Sequence, residues 1–258
     1  VDLRLEGQVV LVTGGSDGLG RALCHRLVEE GARVALCGRD PAKLATTAGA
    51  LEAVGGDVLA VAADVSRPED LARLVEATVA RFGSIDGLVN NAGRASAKRL
   101  AESSDADWHD DLELKVMAAV RLTRMVLPHF RLGGGSVLNV LAIAGKAPGA
   151  GSTPTSVSRA AGLALTKALS KELGSDGVRV NAILIGLVES GQWERQADAQ
   201  GITVDELYRR MGEGSGIPLG RVGRAEEFAD LAAYLLSDRA SYVSGTAVNL
   251  DGGLSPVV

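Results

Sequence analysis

The stretch Thr13-Gly14-Gly15-Ser16-Asp17-Gly18-Leu19-Gly20 constrains this chain more than any other. Before it stands Gln8-Val9-Val10-Leu11-Val12, a short apolar run that reads as a buried parallel strand. After it, Leu19, Ala22, Leu23, Leu27 and Val28 recur at helical spacing up to Glu30. Glycines let a backbone turn sharply and approach a pyrophosphate, and a helix N-terminus offers that charge its unpaired N–H groups. A strand, a glycine turn and a helix in this order form the front of a dinucleotide-binding unit. The glycines at 14, 18 and 20 give G-x-x-x-G-x-G rather than G-x-G-x-x-G. Many strand-to-helix turns need a glycine for shape alone. The placement between a buried strand and an amphipathic helix favours the cofactor reading.

The remaining chain alternates strand and helix patterns. Ala32–Cys37 is a second buried strand, closed by Gly38-Arg39-Asp40-Pro41. The residue that reads the adenosine ribose stands at the end of such a strand. A carboxylate there would bond the 2′-hydroxyl and repel a 2′-phosphate. This chain has Gly38 and then Arg39, a planar cation suited to phosphate, which favours NADP over NAD. The plainer reading of Arg39 is a solvated loop residue. A helix from Pro41 to Val54 follows, then a strand over Asp57–Ala62 that ends at Asp64-Val65. Asp64 could accept from an adenine amino group, cap a turn, or do both. Next come a helix over Pro68–Phe82 and a strand over Ile85–Val89 that runs into Asn90-Asn91-Ala92-Gly93, where the amides can pin neighbouring strands.

One long helix is expected from Asp105 to Arg131, with Trp108, Leu112, Val116 and Leu122 on a broad apolar face. Strands at Gly135–Leu141, Val178–Ile185 and Thr246–Leu250, and helices at Pro154–Leu173 and Ala225–Leu236, complete the series. The small-residue segment between Ala142 and Thr155 reads as an active-site loop, and about 187–216 as a substrate lid. The pattern predicts an α/β chain: a single doubly wound, Rossmann-type parallel sheet with helices on both faces, one domain over 1–258.

Composition limits the partners. A formal charge of −5 without any basic cluster argues against nucleic acid, and no run approaches the roughly 18 apolar residues of a membrane span. Val1–Glu6 lacks a signal-peptide pattern. Cys24 and Cys37, with only three histidines, offer neither a disulfide frame nor a metal site. A cytoplasmic protein with a small-molecule substrate is expected.

In sequence order, Thr13-Gly14-x-x-x-Gly18-x-Gly20, Asp64-Val65, Asn90-Asn91-Ala92-Gly93, Val178-Arg179-Val180-Asn181 and Ser244-Gly245…Asp251-Gly252-Gly253 resemble the short-chain dehydrogenase/reductases over nearly the whole chain. The resemblance implies hydride transfer between NAD(P) and an alcohol/carbonyl pair. It also implies a homotetramer or dimer built on the two long helices. The cofactor set it implies comprises Gly14, Ser16, Asp17, Gly18, Leu19, Gly20, Arg39, Asp64, Val65, Asn91, Ala92, Gly93, Arg159, Gly186 and Val188.

The family's Ser, Tyr, Lys and Asn fall here on Ala142, Thr155, Arg159 and Lys115. Tyr208, Tyr234 and Tyr242 all lie too far along the chain to serve. A Thr hydroxyl cannot become a phenolate-like base, and Arg holds an anion or a ribose without relaying protons. Lys115 could favour an anionic substrate group or pair with a nearby carboxylate. Glu189, next to Ser190 beyond the sixth strand, could supply the missing acid or pair with Lys115 or Arg159. The catalytic expectation is therefore Thr155, Arg159, Lys115 and Glu189. Two alternatives stand beside an NADP-dependent oxidoreductase. One is an NADP-binding regulatory protein. The other is non-redox chemistry like that of the halohydrin dehalogenases, whose loss of the nucleotide turn this chain does not share.

Overall fold

In the computed structural model, which describes residues 1–258, strand and helix alternate from the first turn onward. The nucleotide half runs β1 (Val9–Thr13), α1 (Gly18–Glu29), β2 (Arg33–Gly38), α2 (Pro41–Ala53), β3 (Val58–Ala62), α3 (Pro68–Phe82) and β4 (Gly87–Asn90). The second half runs α4 (Asp105–Leu112), α5 (Ala118–Val126), β5 (Gly135–Ala142), α6 (Thr155–Glu172), β6 (Val178–Ile185), α7 (Gly191–Gln200), α8 (Val204–Gly214), α9 (Ala225–Leu236) and β7 (Ala247–Leu250). All seven strands join one parallel sheet in the order β3-β2-β1-β4-β5-β6-β7. The sheet is the doubly wound one the sequence pattern predicts.

Side chains on a strand alternate between faces, and the core follows that period. Val10, Val12, Val34 and Leu36 pack with Leu23 and Leu27 of α1 and Phe228 and Leu235 of α9. Leu11, Ala35 and Cys37 pack on the other face with Leu71 and Leu74 of α3 and Leu122 and Val126 of α5. Both faces of β1 and β2 are therefore covered, which is why these strands read as unbroken apolar runs. Each fully buried leucine contributes about 1.5–3 kcal/mol. Cys24 and Cys37 are buried and unbridged. No helix is long and apolar enough to cross a membrane.

This topology locates the site. Strand β1 has β2 on one side and β4 on the other, so the strand order reverses between β1 and β4. In such sheets a crevice opens beyond the strands' C-terminal ends at the reversal. The glycine turn leaves β1 at that point, and Asn90-Asn91-Ala92-Gly93 leaves β4 beside it.

One expectation needs correction. The helix expected over Asp105–Arg131 is broken by a π-helical turn at Glu113–Met117, and α5 ends at Val126. A π turn inserts one extra residue and rotates the helix face. Lys115 sits on that turn and is buried. Pro128, without an N–H, closes the regular helix before Arg131. The segment at about 187–216 carries two helices, α7 and α8, joined through the left-handed Gly201.

Candidate active site

A cavity of about 760 Å³ runs from the glycine turn across the strand ends to Thr155. Its nucleotide end is shaped by backbone. Gly14 and Gly18 have φ of +66° and +48°, and a Cβ on Gly20 would run into the Gly14 carbonyl and lie 2.6 Å from Asn91 Nδ2. Asn91 clamps the turn by donating its side-chain amide to the Thr13 carbonyl at 2.8 Å. Thr13 Oγ1 accepts from the N–H groups of Asn91 and Ala92, at 2.9 and 3.0 Å, and donates to the Val89 carbonyl. Asn90 donates to Asn139 Oδ1 at 2.9 Å, so the two amides pin β1, β4 and β5 as their sequence position suggests.

Helix α1 begins without a side-chain cap, since Asp17 makes none. Its first N–H groups are left to a ligand, and an anion at this N-terminus is favoured by the helix dipole. All fifteen residues expected at the cofactor, from Gly14 to Val188 and including Arg159, line this one cavity. Asp64 serves the turn, with Oδ1 accepting from the Ser66 N–H at 3.0 Å and its hydroxyl at 2.7 Å, while also facing the cavity. The cradle that added Cβ atoms would fill, the open helix N-terminus and Arg39 at the rim fit a dinucleotide with a 2′-phosphate.

Asp17 has a role the sequence does not reveal. Its Oδ2 accepts from Lys43 Nζ at 2.9 Å and from Arg195 Nη1 at 3.1 Å. Burial pushes this carboxyl up, yet the hydrogen bonds from Lys43 and Arg195 outweigh it and hold the pKa below the ordinary range. Because Arg195 belongs to α7, the pair ties that helix to the glycine turn. The signal is invisible in sequence, where 178 residues separate the partners.

The opposite end, at Thr155, is built on α4, the π turn and α6. Lys115 and Asp111, four residues apart, form a buried ion pair with side chains 1% and 0% exposed. Asp111 Oδ2 accepts from the Ser158 hydroxyl at 2.6 Å, which ties α4 to α6. Lys115 Nζ donates also to Thr155 Oγ1 at 3.1 Å, and the Ser96 N–H donates to the same oxygen at 3.0 Å. Both lone pairs of the Thr155 hydroxyl are thus engaged, and its own proton finds no acceptor in the protein. Burial, and then the charge on Arg159, pull the Lys115 ammonium down to about 8 against the opposing Asp111 hydrogen bond. Of the two readings of Lys115 offered by sequence, the structure shows the ion pair, made with Asp111.

Arg159 lies partly buried beside this group, and loss of solvent around it lowers its guanidinium to about 10. It donates from Nη1 to the Val140 carbonyl at 2.8 Å, while its buried Nε has no partner. A Cβ on Gly93 would lie 3.0 Å from Nη2, so the glycine after Asn91-Ala92 makes room for the arginine. Ala142 lines the cavity and brings no hydroxyl.

Glu189 does not join these residues. It lies outside the cavity lining, and its neighbours are the Ala225 N–H, Glu226 and Arg224 at the start of α9. Burial first, and then Glu226, raise its pKa. The raised value is local to α9, and the pairing with Lys115 or Arg159 expected from sequence is not made.

The fold and site define a nucleotide-binding α/β protein whose crevice ends on a hydroxyl, an ammonium and a guanidinium. The family model described as Enoyl-(Acyl carrier protein) reductase matches residues 14–255. The 3-oxoacyl-[acyl-carrier-protein] reductase FabG of Thermotoga maritima is 33% identical over 253 residues, 98% of this chain and 99% of the relative. Among solved structures, L-sorbose reductase from Gluconobacter frateurii, complexed with NADPH and L-sorbose, superposes with a TM-score of 0.94 at 34% identity over 100% of both chains. An NADPH-bound short chain oxidoreductase of Pseudomonas aeruginosa PAO1, described as containing an atypical catalytic center, gives a TM-score of 0.91 at 33% identity, covering 98% of this chain and 100% of that one. The chain belongs to the short-chain dehydrogenase/reductase family of oxidoreductases.

Proposed function

We propose that this protein is an NADP(H)-dependent oxidoreductase of a small carbonyl/alcohol pair. Its proton path runs through Lys115 and Thr155 in place of the family's Tyr and Lys. The observation that carries this reading is the Thr155 hydroxyl, which accepts two hydrogen bonds and can only donate onward into the cavity. NADPH in the related structures, together with Arg39 and the absence of a carboxylate at Gly38, supports the cofactor.

The glycine turn and the α1 N-terminus would hold the pyrophosphate, Arg39 the 2′-phosphate, and Arg159 the nicotinamide ribose. Bound there, the reduced cofactor would supply the hydride for the carbonyl carbon. The chain's own residues handle the proton. Thr155 gives its hydroxyl proton to the forming alkoxide oxygen and takes one from the Lys115 ammonium, which is left as a neutral amine and is recharged from solvent. Asp111, fixed by Ser158, holds Lys115 against Thr155. A threonine alone is far too weak an acid for this step, but a hydroxyl passing a proton from an ammonium near pKa 8 is matched to neutral pH.

Two results follow. Calorimetric titration is expected to show NADPH bound more tightly than NADH, with Arg39→Ala losing about tenfold to a hundredfold for NADPH only, as for a charge-assisted bond. Equal affinities, or an unaffected Arg39→Ala variant, would reject the assignment. The family resemblance and the half-exposed Met117 and Val157 near α5 and α6 support a homotetramer or dimer. Sedimentation at micromolar concentration is expected to give an oligomer, and a monomer would contradict it.

A further inference from the structure

The charges that line the cavity are unevenly divided. Its carboxylates, Asp17, Asp40 and Asp64, all stand at the nucleotide end and are all engaged. Asp17 holds Lys43 and Arg195, Asp40 caps α2 through the N–H groups of Ala42 and Lys43, and Asp64 holds Ser66. The reaction end is lined by Arg94 and Arg159, with Lys115 behind Thr155. The buried Asp111 faces them with its two oxygens taken by Lys115 and Ser158, and the exposed Asp110 stands beside Arg94 outside the lining. The balance at this end is three cations to two carboxylates, and neither carboxylate lines the cavity. A cleft with an excess of one sign draws in ligands of the other, more strongly where its walls exclude water.

Arg159 is committed to the Val140 carbonyl and sits against Gly93. Lys115 is committed to Asp111 and Thr155. Arg94 is different. It is 55% exposed at the cavity rim, and its one carboxylate neighbour, Asp110, is 69% exposed and 3.8 Å away. Such a surface pair is worth about 0–1 kcal/mol, so a ligand can displace it. Ala142 offers no second hydroxyl to orient a carbonyl beside Thr155, so a charge at the rim would add to the orientation.

From this division of charge, and resting on the oxidoreductase reading above, we propose that the substrate is an oxo acid or hydroxy acid whose carboxylate is received by Arg94. The carboxylate pairs with the guanidinium while the ketone oxygen meets the Thr155 hydroxyl. Neutral ketones and neutral oxoacyl thioesters lack the group that fills the rim and are handled less well.

The test pairs oxohexanoates, with the ketone at successive positions along the chain, against their methyl esters and against a neutral oxohexanoyl thioester of N-acetylcysteamine. NADPH consumption is followed in the wild type, Arg94→Ala and Arg94→Lys. At least one acid is expected to exceed its ester in kcat/KM by about tenfold or more, chiefly through KM. Arg94→Ala is expected to erase that preference, and Arg94→Lys to keep part of it. A binding arm is independent of turnover. Hexanoate and hexanamide are titrated into the NADPH complex and followed by the fluorescence of Trp193, which lines the cavity. Hexanoate is expected to bind more tightly, and only while residue 94 is cationic. Equal binding of the two probes, or esters and thioester equal to the acids with Arg94→Ala indifferent, overturns the proposal and leaves the oxidoreductase reading standing. Tighter hexanoate binding without turnover of any compound would instead sink the oxidoreductase reading while upholding the anion site.

Discussion

Replacing Lys115 by methionine is expected to lower the rate of carbonyl reduction by about a hundredfold to ten-thousandfold, the range a positioned acid supplies. NADPH affinity should change little, because Lys115 is not among the cavity-lining residues that would hold the cofactor. The single variant carries a structural cost. Removing one partner of a buried ion pair leaves Asp111 uncompensated and destabilises a fold by about 3–5 kcal/mol. The double variant Lys115→Met/Asp111→Asn removes both charges and keeps a hydrogen-bonding group beside Ser158. It should regain most of the lost stability in a thermal melt and none of the lost rate. Recovery of rate in the double variant would place the proton elsewhere.

A valine at Gly20 is expected to abolish dinucleotide binding. Its Cβ would overlap the Gly14 carbonyl, 2.8 Å from the carbonyl carbon and 2.6 Å from Asn91 Nδ2, all of it backbone or an amide already committed to Thr13. No flexible side chain can yield there, so the turn must open and the α1 N-terminus must move from the pyrophosphate position. A loss of more than about a hundredfold in NADPH affinity, or about 2.7 kcal/mol, is the expected calorimetric result. Gly49, on the surface of α2 with open space around its Cβ position, is the matched control, and Gly49→Ala should bind NADPH as the wild type does.

The sheet was legible because its signals are local. Val9–Val12 and Val34–Cys37 are apolar on both faces, and a run with that pattern between glycine turns has few other uses. The cofactor end was legible for the same reason, since its glycines, Asn91 and Arg39 each lie at a strand end whose position the periodicity supplies. The reaction end was legible only in part. Thr155, Arg159 and Lys115 could be placed by their distance from neighbouring motifs. Asp111 and Ser158 could not, because 47 residues separate them and the helix that carries Asp111 looks uniform in sequence.

The π turn at Glu113–Met117 hid that relation. On an unbroken helix the apolar face of Trp108, Leu112 and Val116 would run straight on, and nothing in the pattern announces an extra residue. Glu189 shows the reverse error. Its position after β6 put it near the site by counting, but the chain there turns toward the start of α9, and the carboxylate meets the Ala225 N–H instead. Asp17 was expected at the cofactor from its place in the turn, but its bond to Arg195 depends on where α7 returns across the crevice. No sequence distance encodes that return.

The pH dependence of hydride transfer in a single turnover tests the Lys115–Thr155 path most directly. Reduced nicotinamide absorbance would be followed after NADPH-loaded protein is mixed with the preferred oxo acid. Reduction needs the ammonium, so the rate should be level below the Lys115 pKa of about 8 and fall as pH rises through it. Oxidation of the product alcohol needs the free amine and should rise through the same value. Glu189→Gln should keep this profile, whereas Lys115→Met/Asp111→Asn should be slow and flat across it. A wild-type profile without a transition near 8, or one that survives in the double variant and vanishes in Glu189→Gln, would contradict the account.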